Sequence, residues 1–114
     1  MKLDRSFNED GKGKYALVRL RGTEKDSEAF SLLKRLEDLG HLNWGSVGEE
    51  DEFFVIKLRD IFVFYALDAY ADAVSNYSRL PSCKDEAGQL EYAKEIRSLL
   101  ARAGINSEFC KVPN

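Results

Sequence analysis

The sequence predicts an α+β domain, and three observations carry that prediction. Residues 15–21, YALVRLR, and 52–58, EFFVIKL, alternate with the period of two that belongs to a pleated strand. From Arg59-Asp60 onward the period changes: Val63, Leu67, Tyr70, Val74 and Tyr77 recur at four and three residues, one helical stripe. Two further stretches, after Thr23 and after Asp85, carry the caps and apolar spacing of helices. With a short strand over His41 to Val47, the expected order is β-α-β-β-α-α. A right-handed crossover sets the first two strands parallel, and a hairpin slots the third between them. The expected sheet is small, three-stranded and mixed parallel/antiparallel, in the order 1-3-2, packed with three helices.

Residues 1–13 are polar, with only Leu3 and Phe7 as anchors, and read as a mobile arm ahead of a single domain over 14–114. In the first strand Ala16, Val18 and Leu20 share one face, and Tyr15, Leu17, Arg19 and Arg21 the other. Thr23 is placed to cap the first helix, with Glu24 and Asp26 in its first turn. Ala29, Phe30, Leu32, Leu33, Leu36 and Leu39 form its apolar stripe, and Gly40 stands where a left-handed terminator belongs. The second helix is expected from about Asp60 to Tyr77. IFVFY, residues 61–65, could prolong a strand, but Arg59-Asp60 interrupts it and ALDAYADAV favours helix. Pro81 marks a linker, and Ser82 or Asp85 caps a third helix with Tyr92, Ala93, Ile96, Leu99, Leu100 and Ala103 buried. Arg102 falls in its last turn, Gly104 can end it with Ile105 as the accompanying apolar contact, and Phe109 is the expected anchor of the tail.

Composition narrows the function. The chain has 114 residues, 44% hydrophobic and 32% charged, the profile of a soluble globular domain. The longest apolar run, Ile61 to Leu67, falls far short of the roughly 20 residues that cross a bilayer. The opening MKLDRSFNEDGKGK has no apolar signal region, so a cytoplasmic location is the default expectation. A net charge of −3 argues against a dedicated duplex-DNA binder. Cys83, Cys110 and His41 do not complete a usual structural zinc site, and reduced thiols are expected. The acidic run Glu49 to Glu52 lacks the alternating spacing of a calcium loop. No phosphate loop is present, since Gly11-Lys12-Gly13-Lys14 precedes an expected strand. Neither catalysis, a metal nor a cofactor is expected.

Two surfaces remain. On the second helix, Ile61, Phe64 and Tyr65 lie off the expected buried stripe, beside Asp68, Asp72 and Ser75. Three large apolar side chains together on a wet face suggest an aromatic anchor rimmed by acid, suited to a partner protein or a second copy. Cover by the third helix or the arm is the plainer explanation. The alternative surface is the second face of the sheet, where Tyr15, Arg19 and Arg21 would lie beside Phe53, Lys57 and Arg59. Aromatics interleaved with cations on an open sheet suit single-stranded nucleic acid or a nucleotide.

Four segments, EFFVIKLRD at 52–60, ALDAYADA at 66–73, EYAKEIRSLLARAG at 91–104 and the closing EFCKVPN, together resemble a family of small uncharacterised bacteriophage and prophage proteins. The match covers roughly the second half of the chain and rests on general pattern, with no functional residues to carry over. IFVFY and SRLPSCKDEAG stand where the family is usually more polar and shorter. The resemblance implies a small accessory protein made during infection, acting on a host or phage macromolecule, with inhibitors of host defence as one conspicuous class.

Overall fold

A computed structural model of the chain describes residues 13–21 and 23–113, in two compact units: residues 13–16 with 56–113, and Leu17–Val55. Its regular structure is helical. Helix α1 is Glu28–Asp38, α2 is Val63–Ser78 and α3 is Glu86–Ser98, followed by two 3-10 turns, Leu99–Arg102 and Gly104–Asn106. The expected arm, Gly13 apart, lies outside the described residues.

The expected three-stranded sheet does not form. Among the described residues there is no strand, only an isolated parallel bridge between Asp60 and Lys111. The physical reason is visible at the end of the would-be central strand. The Leu58 carbonyl accepts from Gly104 N–H at 2.8 Å, the Arg59 carbonyl from Lys111 N–H at 2.8 Å, and Ile61 N–H donates to the Lys111 carbonyl at 3.0 Å. The C-terminal segment thus takes the backbone that a neighbouring strand would need. Phe53, Phe54, Val55 and Ile56 follow without regular pairing, and Phe54 is 86% exposed.

In the Leu17–Val55 unit, α1 starts later than Thr23 suggests. Thr23 instead closes a turn onto the Leu20 carbonyl, and Ser27 is the cap, its Oγ accepting from Phe30 N–H at 3.1 Å. Termination follows the expectation for Gly40, which has φ +81. Gly40 N–H donates to the Glu37 carbonyl and His41 N–H to the Leu36 carbonyl, the paired bonds of a Schellman stop. Of the apolar stripe only Leu33 is buried; Phe30, Leu32, Leu36 and Leu39 are exposed. The segment after the helix is tied back to it, because Trp44 Nε1–H donates to Glu37 at 2.6 Å. That bond, with Lys34 nearby, holds the Glu37 carboxyl below the usual carboxylate range. The acidic run closes its own loop: Glu52 accepts from Gly48 N–H and Asp51 from the Asn43 amide.

In the other unit, α2 and α3 pack against each other as an αα-hairpin. Asp85 caps α3, accepting from Gly88 N–H at 3.0 Å. The buried stripe of α2 departs from the expected one at its tyrosines. Val63, Ala71, Ser75 and Ser78 are buried and Leu67 and Val74 half-buried, while Tyr70 and Tyr77 are exposed. Small residues at the contact let two helix axes approach closely, and the tyrosines go to the rim, where their hydroxyls stay wet. Opposite them α3 buries Ala93 and Ile96, and beyond it Ala103 is buried. Ile105, expected as an apolar contact, is 70% exposed, and the tail residue Phe109 is exposed as well.

The rim tyrosines make a titratable link between the helices. Tyr70 and Tyr92 meet edge to face at 6.2 Å, with their hydroxyls 3.3 Å apart. That hydrogen bond, reinforced by partial burial, pushes the Tyr92 pKa up to about 12. The ordinary tyrosine value is about 10. The folded state therefore favours the neutral phenol, and the link contributes in full below a pH of about 10 and is lost as pH rises through about 12. Tyrosinate absorbance is expected to show a late step near pH 12 that Tyr92→Phe removes, with helical circular dichroism declining over the same window.

Candidate functional site

The start of α2 is positioned by its neighbours rather than by a side-chain cap. Asp60 Oδ1 accepts from Phe62 N–H at 2.8 Å, turning the chain into the helix, and Lys111 holds Ile61 from the other side. Gly104 comes against this corner so closely that a Cβ there would sit 3.1 Å from Phe64 Cβ and 3.2 Å from the Ile61 carbonyl oxygen. Ile61 and Phe64 are half-buried as a result.

The five residues expected to meet a partner therefore divide. Ile61 and Phe64 form the seat, and Phe64 supports Tyr65 edge to face, ring centroids 5.9 Å apart. Tyr65 itself is 68% exposed. Asp68 is exposed one turn further on. Asp72 is engaged within the hairpin: Arg97 of α3 donates to it at 2.8 Å and to Ser75 Oγ at 3.0 Å. That ion pair is open to solvent, so screening holds its contribution to about 0–1 kcal/mol. Its structural use is to clamp α3 across α2 and to fix one edge of the acidic rim. Ser75, expected to be wet beside it, is buried.

Two residues of this surface are absent from the sequence-based reading. Phe62, the residue just before α2, is 61% exposed and lies three residues before the exposed Tyr65. Its place in the apolar run 61–65 is the available signal, beside the Ile61, Phe64 and Tyr65 that the sequence already sets off the buried stripe. Arg97 carries no signal until α2 and α3 are known to pair.

The alternative surface loses its platform with the sheet. Tyr15, Lys57 and Arg59 belong to one unit, and Arg19, Arg21 and Phe53 to the other. Lys57 and Arg59 line a cleft with the C-terminal segment. Both cysteines are unpaired, Cys83 half-buried and Cys110 exposed. Among the described residues no cluster of His, Cys, Asp or Glu could hold a metal ion, and no helix is long and apolar enough to cross a membrane. No family model, curated protein or solved structure matches the chain.

Proposed function

We propose that this chain is a protein–protein interaction module whose contact surface is the outer face at the start of α2, with Phe62 and Tyr65 as anchors. One observation carries the reading: two large aromatic side chains three residues apart, Phe62 and Tyr65, are exposed on a helix corner whose backbone is held from both sides. Exposed aromatics on a pre-organised helix are the residues that most often dominate binding energy, since little ordering entropy is lost when they are covered. Asp68 supplies an acidic rim that would favour a partner with basic residues around an apolar socket. The resemblance to phage proteins supports a host or phage protein as that partner, with inhibition of a host defence system as the role and the cytoplasm as the place. A second copy of the chain is the other occupant this face suits.

The experiment is affinity capture from nuclease-treated bacterial lysate, run in parallel with light scattering of the purified chain. Phe62→Ala with Tyr65→Ala should leave the melting temperature nearly unchanged, because both side chains are largely exposed. The double variant is expected to lose the captured protein, or self-association, by about thirtyfold or more in affinity, the loss of one strong anchor. Equal retention by both forms, or a monomer that captures nothing, would sink the proposal.

A further inference from the structure

The C-terminal segment does more than brace α2. Together with residues 57–59 it borders an open cleft of about 820 Å³. Its walls are fixed by backbone and side-chain bonds: Gly104 N–H to the Leu58 carbonyl, Ser107 N–H to the Gly104 carbonyl at 3.0 Å, and the Asn106 amide to the Leu100 carbonyl at 2.9 Å. The volume falls within the range of small-ligand sites, about 300–1,000 Å³.

The charge of this cleft runs against that of the chain. Lys57, Arg59 and Arg102 line it with Glu108 as the one carboxylate, whereas the whole chain carries −3. None of the ion pairs among the described residues involves these three cations. The nearest acid in sequence, Asp60, accepts from Phe62 N–H and forms no ion pair with these cations. Cations gathered without partners repel one another, and an anion seated among them relieves that repulsion. Arg59 and Arg102 suit phosphate oxygens because the guanidinium fork donates in pairs.

The remaining lining residues define the other end of the ligand. Phe109 is 69% exposed yet stands on the cleft wall, a free aromatic face. The Asn106 side chain uses one of its two amide N–H donors on Leu100, which orients the group and leaves its carbonyl oxygen as an acceptor on a residue lining the same cleft. Cations for phosphate, a ring for stacking and a fixed amide acceptor for an exocyclic amine form one set. We propose that the cleft of Lys57, Arg59, Arg102, Asn106 and Phe109 binds a nucleoside polyphosphate, with its phosphates on the cations and its base on Phe109.

The test is calorimetric titration of the full chain with ATP, GTP, CTP and UTP, with tripolyphosphate and adenosine as partial ligands and a short single-stranded oligonucleotide as competitor. At least one nucleotide is expected to bind, tripolyphosphate more weakly, and adenosine not detectably. Arg59→Ala with Arg102→Ala should weaken nucleotide and tripolyphosphate alike by about tenfold or more. Phe109→Ala should weaken the nucleotide by about tenfold while leaving tripolyphosphate unchanged, since only the base stacks. All three side chains are exposed, so melting temperature serves as the folding control. No nucleotide binding at millimolar concentration overturns the proposal. So does binding indifferent to the arginines or to Phe109, and so does an oligonucleotide that binds about tenfold tighter than every mononucleotide, which would mark a strand-binding surface instead.

Discussion

Ile96→Ala is expected to destabilise the α2–α3 hairpin by about 2–5 kcal/mol. Among the described residues Ile96 is the largest side chain that is fully buried, and it lies on the stripe of α3 that packs against α2. The fully buried residues of α2 past its first turn are Ala71, Ser75 and Ser78, with Leu67 and Val74 half-buried, so most of the facing side chains are too short to fill the void. The cavity would therefore persist, and its cost would add to the lost transfer energy of the deleted methyl groups. Against a total stability of about 5–15 kcal/mol for an ordinary domain, this is a large fraction. Urea denaturation followed by circular dichroism measures it, with Ile96→Val as the graded control at about 0.5–1.5 kcal/mol. A loss under about 1 kcal/mol for the alanine variant would mean that the hairpin is not the core.

Gly104→Ala is expected to cost about 2–4 kcal/mol, well beyond an ordinary glycine substitution. Gly104 has φ +58, a left-handed conformation that costs an L side chain roughly 1–2 kcal/mol. Space adds to this. The new methyl would press on Phe64 Cβ and the Ile61 carbonyl oxygen, atoms fixed to the backbone of the α2 start that no rotamer change can withdraw. Relief requires moving that corner away from the C-terminal segment, which strains the Gly104 N–H bond to the Leu58 carbonyl. Gly40→Ala supplies the comparison, because Gly40 is also left-handed, at φ +81, but has open space around it. It should cost only the conformational part, about 1–2 kcal/mol. Equal losses at the two positions would show that the close approach at Gly104 carries no energy.

The local signals were legible where a single side chain decides a backbone conformation. Gly40 ends α1 and Asp85 begins α3, because a positive φ and a free carboxylate act on groups a few residues away. The expected sheet fails for the opposite reason. Alternation in YALVRLR and EFFVIKL is a property of side chains, and it does not reveal which backbone will arrive to pair with them. Here Gly104 and Lys111 arrive first at Leu58 and Arg59. Spacing alone places Tyr70 and Tyr77 on the buried face of α2, but it does not say how closely a neighbouring helix must approach. Tyr70 and Tyr77 are the larger residues, but Ala71, Ser75 and Ser78 are the ones that let α3 come close. Ile61, Phe64 and Tyr65 were legible as a group, while their division into seat and anchor depends on Gly104, some 40 residues away in sequence. The basic cleft was beyond reach, since it joins residues 57–59 to 102–109 across a hairpin that the pattern alone does not close.

Everything proposed for Phe62 and Tyr65 depends on α2 being a helix that begins at Val63 and packs on α3. Backbone NMR assignment of the full chain tests this most directly. Helical carbon shifts are expected over 63–78 and 86–98, with the slowest amide exchange on those two helices and a contact between Asp60 and Lys111. Extended-type shifts over 63–66, or helices over 63–78 and 86–98 that show no contact with each other, would contradict it.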